Sequence, residues 1–180
     1  NVYLGRAGQA TLHCARDTVL ENVDAAIAQF ETANTLTNET DDIRDYGRPY
    51  AGLAAARYLQ AHWLPPENDG CNDELIEASP LRQAADDIEQ AKRIYAGDAT
   101  ASEPVVKARM WAIEANLQYT ICILEPGGGF SDEEMDDACA QTRAIAQQII
   151  DLYEDSHDPT VASLAGEAHG MQGDLDQLLD

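Results

Sequence analysis

Apolar and polar positions alternate along this chain with a spacing of three and four residues, the mark of helices with one buried face. In "AAIAQFETA", residues 25–33, one aromatic, Phe30, stands between Ala26 and Ala33 on a single face. The same spacing returns in "AADDIEQA" as Ala84, Ile88 and Ala91, and more weakly as Ala138, Thr142 and Ile145. A second pattern occupies the intervening segments: Ala51, Ala54, Ala55 and Tyr58; Ala108, Trp111, Ala112 and Ala115; Val161, Leu164, Ala165 and Ala168. Faces with so little bulk predict helices that approach one another closely. Strand-type alternation of β-branched residues is nearly absent, so the predicted fold is all-α.

Helix starts carry strong punctuation. Ser79 before Pro80, Ser102 with Pro104, and Asp158 before Pro159 each read as a cap followed by proline in the first turn. Ser131 with Glu134 three residues later reads as a capping box. Seven helices are predicted, over about 3–14, 17–34, 46–63, 80–96, 103–124, 132–154 and 159–178. The loops "LPPENDGCNDELIEAS" and "EPGGGFS" interrupt them. No composition break divides residues 1–180, so a single domain is expected.

These small-residue pairs and triads resemble the tetratricopeptide repeat, in which an A helix patterned W-x2-L-G-x2-Y pairs with a B helix patterned A-x3-F-x2-A. The resemblance covers roughly residues 17–178. It implies a right-handed solenoid of helical hairpins, about 3–34, 46–96 and 103–154, closed by a terminal helix 159–178. It makes Ala55 with Tyr58, Ala112 with Ala115, and Ala165 with Ala168 the A-helix contacts. Ala26–Phe30–Ala33 and Ala84–Ile88–Ala91 become the B-helix triads. The family repeats every 34 residues, whereas Ala26 to Ala84 is 58 and Ala112 to Ala165 is 53. Long helices and inserted loops would carry the excess, and an irregular helical bundle is the alternative architecture.

Charge then narrows the partners. The chain has 33 acidic and 11 basic residues, a net charge of −22. That argues against nucleic acid and against anionic membranes as partners. Solubility accounts for such a surface, with a salty habitat or cation binding by the acidic skin as alternatives. No apolar run approaches the ~20 residues that span a bilayer. The opening "NVYLGRAGQA" has neither an initiator Met nor a signal-peptide core, which suggests that the natural start has been removed.

Candidate chemistry is sparse. His13, His62, His157 and His169 lack a second His or Cys at ligand spacing, and "ENDGCNDE" fails the count of a calcium loop. "EPGGGF" lacks the Lys-Ser/Thr of a phosphate loop. No catalytic, cofactor-binding or metal-binding residue is therefore assigned, and no enzyme is expected. Four widely spaced cysteines contain no C-x-x-C and permit two disulfides. Cys122 and Cys139 lie on turns that an antiparallel hairpin would bring together. Cys14 and Cys71 would lie on one edge of the repeat stack that the resemblance implies. The expected pairs are Cys14–Cys71 and Cys122–Cys139, which places the protein outside the cytosol: secreted, at the cell surface or periplasmic. Asn38 opens a glycosylation triplet, Asn38-Glu39-Thr40.

Binding remains. The family resemblance implies a protein-interaction scaffold. The last predicted helix has a core face of Val161, Leu164, Ala165, Ala168, Met171, Leu175 and Leu178, and Ala162, Gly166, Gly170 and Gly173 almost opposite. A capping helix ordinarily shows a charged outer face. Glycines in mid-helix cost about 1 kcal/mol each relative to alanine, a cost that close approach by another backbone would offset. Leu4, Gly5 and Gly8 make the first segment similarly small and apolar. One end of the molecule is thus expected to dock on the other end of a second copy, giving a homopolymer or filament. The alternative is an adaptor or ligand-binding subunit of an envelope or transport complex, gripping a different protein.

Overall fold

The computed structural model of the chain describes residues 2–13, 15–37, 43–65, 76–96, 104–124 and 128–178. Every regular element among them is an α-helix: α1 (Val2–Thr11), α2 (Arg16–Leu36), α3 (Ile43–Trp63), α4 (Ala78–Ala96), α5 (Pro104–Cys122), α6 (Asp132–Tyr153) and α7 (Pro159–Leu178). The chain divides into two compact units, Asn1–Ala101 and Ser102–Asp180.

In the first unit each helix packs on the next in sequence. Ala7 and Ala10 of α1, Val19, Val23 and Ala26 of α2, and Ala56 and Trp63 of α3 form one buried cluster. Tyr3, Leu4, Ile27 and Phe30 pack around it. Helix α4 buries Leu81, Ala84, Ile88 and Ala91, the three-and-four spacing of its amphipathic face. Two glycines of α3 set how closely its neighbours approach. A Cβ on Gly52 would stand 2.3 Å from the ring of Phe30 in α2, and one on Gly47 would stand 2.5 Å from the ring of Tyr95 in α4. Each aromatic ring therefore fills the space that a side chain on α3 would need. Arg16 donates through Nη2 to the carbonyl of Leu64 at 2.7 Å, satisfying an acceptor just past the end of α3.

In the second unit each of α5, α6 and α7 packs on both others. Trp111 and Ala115, Ala146, Ile149 and Ile150, and Ala165 and Ala168 form its core, with Ile145, Tyr153 and Met171 against them. Met110, Leu117 and Ile121 are buried on a second face of α5, along which Glu114 is also buried. The start of α6 is fixed by a capping box. Ser131 Oγ accepts from the Glu134 N–H at 3.3 Å, and Glu134 Oε2 accepts from the Ser131 N–H at 2.7 Å. Asp158 Oδ1 caps α7 by accepting from the Thr160 and Val161 N–H groups at 2.8 and 3.3 Å. Gly129, just before α6, has φ 88°, a left-handed conformation that glycine adopts without a steric cost. Cys122 and Cys139 meet across the α5–α6 hairpin, with sulfurs 1.98 Å and Cα atoms 4.8 Å apart.

Two details differ from expectation. α4 begins at Ala78, so Ser79 lies inside its first turn instead of capping it. Leu178 is 60% exposed and does not belong to the core face of α7; by then the helix has passed the last of its buried positions, Leu175. The expected Cys14–Cys71 pair and the Asn38 triplet lie outside the described residues.

Candidate interaction surfaces

Helix α7 presents the first surface. Val161, Ala165, Ala168 and Leu175 are buried and hold one side of the helix against α5 and α6. Polar contacts tie down both flanks. Toward α6, Arg143 pairs with Asp176 at 3.1 Å, Gln172 donates to Gln147 at 3.0 Å, and His169 stands 3.4 Å from Glu154. Toward α5, the Tyr119 hydroxyl donates to Asp174 at 3.3 Å. Between these flanks lie Gly166, Gly170 and Gly173, all exposed, with Ala162 half-buried at the head of the row. A Cβ built on any of the three glycines would meet nothing within 4 Å. The stripe is open within this chain, in contrast to the filled notches at Gly47 and Gly52. Glu167 and Asp174, seven residues apart and both exposed, run as an acidic rail along its α5 side.

The second surface belongs to α1. Gly5 and Gly8 are exposed, and a Cβ on either would also meet nothing within 4 Å. Leu4 instead packs on the chain's own core. Beside the exposed face, at the turn from α1 into α2, lies an open cleft of about 520 Å³ lined by Arg6, Gln9, Leu12, His13, Thr18 and Asn22 among others. Among the described residues its lining contains no carboxylate. Arg6 lies over the ring of Tyr3, 5.9 Å from its centroid, and is otherwise exposed.

The remaining histidines are separated. His62 meets Tyr58 edge-on with ring centroids 4.7 Å apart, and His157 is exposed. Among the described residues no three His, Cys, Asp or Glu side chains gather as a metal site, and no helix is long and apolar enough to cross a membrane.

Sequence reasoning missed a polar seam through the first unit. Arg57 of α3 reaches Glu31 of α2 at 3.1 Å and forms a close ion pair with the buried Asp87 of α4. One guanidinium thereby joins three consecutive helices. Gln60 donates to Asp24 at 3.0 Å along the same α2–α3 boundary. Burial raises the Asp87 carboxyl above the ordinary aspartate value; Arg57 opposes the shift without cancelling it, and Asp86 and Glu31 add to it. In the second unit burial raises the phenols of Tyr119 and Tyr153, with Asp174 adding to the effect at Tyr119. The signal for the seam was available: Arg57 is a cation inside the otherwise apolar run "AGLAAARYL", where an unpaired charge would be costly.

No family model matches this chain, and no curated protein or solved structure matches it either.

Proposed function

We propose that this chain is a non-enzymatic, TPR-like interaction module that associates head-to-tail with further copies of itself. The observation that carries this reading is the outer face of α7. Its three glycines cost the helix about 1 kcal/mol each relative to alanine, yet no described atom of their own chain lies within 4 Å of where their Cβ atoms would stand. An approaching helix backbone would make use of that space. The exposed glycines of α1 offer a second face of the same character, so the contact joins unlike surfaces and propagates into a ring or filament. Support for the hairpin-solenoid architecture comes from the second unit. There α5, α6 and α7 pack pairwise in the manner of an A helix, its B helix and the next A helix, and Ala112, Ala115, Ala165 and Ala168 are all buried. The Cys122–Cys139 pair supports a location outside the cytosol, where disulfides persist.

Light scattering and electron microscopy of the wild type and Gly170→Leu test this function. The wild type should form large particles in physiological salt. Gly170→Leu should remain a helical monomer, because leucine favours the helix while its side chain holds two backbones apart. A wild type that stays monomeric at high concentration would remove the polymer and leave the adaptor reading. Equal assembly by both proteins would leave the polymer and discard the glycine face.

A further inference from the structure

The cleft at the turn from α1 into α2 is a cationic feature on a strongly acidic chain. Residues 1–16 contain no Asp or Glu, while the whole chain carries 33. Alone among the seven helices, α1 has no carboxylate within its span. Two groups able to carry positive charge, Arg6 and His13, flank the cleft, and Gln9, Thr18 and Asn22 add polar groups to its described lining. Asp17, the first acid in the sequence, is 99% exposed, lies outside the lining and stands 3.6 Å from Arg16.

Two copies of a molecule with net charge −22 repel one another over most orientations. A contact between them has to bring one of the few surfaces free of acid against an acidic one. We propose that the Arg6–His13 cleft is the receptor for carboxylates of a second copy, Glu167 and Asp174 on the acidic rail of α7. This rests on the head-to-tail reading above and adds to it the group that orients the contact. The glycines allow close approach, and Arg6 selects which face of the incoming copy is accepted. Guanidinium suits the task because its fork of donors matches a carboxylate.

Charge reversal at both sides gives the test. Arg6→Glu and Glu167→Arg are changes at exposed positions, and circular dichroism of each full chain reports whether folding is kept. Each variant alone should need at least about tenfold more protein than the wild type to assemble, since like charges then face one another. Mixed in equal amounts, the two should assemble again, because the acidic cleft of one then meets the basic rail of the other. Failure of the mixture to recover assembly would overturn the proposal, as would assembly of Arg6→Glu at wild-type concentration. If Gly170→Leu still blocked assembly in that case, the head-to-tail reading would stand without the cleft. A wild type that never self-associates would overturn both.

Discussion

Helix α3 of the first unit and helix α7 of the second use glycine in mid-helix to opposite ends. In the first, Gly47 and Gly52 are notches: the rings of Tyr95 and Phe30 occupy the space where a Cβ would stand. In the second, Gly166, Gly170 and Gly173 face open space. The intrinsic cost to the helix is the same at either place, about 1 kcal/mol relative to alanine. In α3 the cost is offset inside the chain by aromatic packing and close helix approach. In α7 no described residue offsets it, which is why the α7 face, and not α3, is the place to look for a partner. The cohesion of the units differs as well. A polar seam centred on Arg57 joins α2, α3 and α4, whereas α5 and α6 are joined by a cysteine pair and by a core rich in alanine.

The strongest way to break this contrast is Arg57→Ala. It leaves the buried Asp87 without its cation, at a cost of about 3 kcal/mol. Hydrogen exchange should rise in peptides of α2, α3 and α4. Replacing Arg57 by Met and Asp87 by Leu together should restore most of that loss, since no charge is then left buried. Unchanged exchange in Arg57→Ala would show that the seam is not a structural element.

Removal of the Cys122–Cys139 link by a double alanine substitution should act on the other unit. The link closes a loop of 17 residues, and its loss should lower stability by about 3 kcal/mol. The readout is exchange in α5, α6 and α7. Increased exchange confined to α1–α4 would contradict the assignment of this link to the second unit.

Leucine at two glycines gives the most direct comparison. Gly52→Leu must displace the Phe30 ring and should cost about 2 kcal/mol through overpacking. At Gly170 a Cβ meets no described atom within 4 Å, and Gly170→Leu should leave thermal stability unchanged or raise it by up to about 1 kcal/mol. Equal melting shifts for the two variants, measured under conditions that keep the protein monomeric, would remove the distinction between filled and open glycines.

The smallest effect is in pH. The folded state raises the Asp87 carboxyl, so it favours the protonated acid. This contribution is fully present below the ordinary aspartate value and is lost as pH rises through the raised one. The first unit should therefore gain stability as pH falls through the raised value toward the ordinary aspartate one, and Asp87→Asn should flatten that part of the profile. Tyr119 and Tyr153 follow the same sign at the alkaline end. Their contribution persists at neutral pH and is lost as pH rises through their raised phenol values, which should loosen the second unit. Stability profiles followed separately by exchange in each unit would show both limbs.

Much of this contrast was hidden in a linear reading, and the reasons are physical. Helix locations were legible because they depend on local terms. Ser131 with Glu134, and Asp158 before Pro159, satisfy backbone N–H groups within three residues, and both caps are present in the structure. Ser79 looked like another cap, but α4 starts at Ala78, because a serine beside proline is compatible with a first turn as well as with a cap. Leu178 followed the apolar spacing of α7 and is nevertheless exposed. Spacing identifies a helical face; only a neighbouring element determines how far along that face burial extends.

The sequence by itself determined the all-helical class, the seven segments, the small-residue faces and the row of glycines on one side of α7. All of these follow from propensity, capping and a 3.6-residue period acting within a few turns. Only the tertiary structure decided which glycines are filled. Phe30 and Gly52 are 22 residues apart, Gly47 and Tyr95 are 48 apart, and nothing local marks either pair. It also decided that Arg57 binds Glu31 and Asp87 among many available carboxylates, and that the chain condenses into two units without a break in composition. Each of these is a choice among partners distant in sequence. Such choices are made by shape and desolvation when helices meet, and the periodicity of a single helix does not encode them.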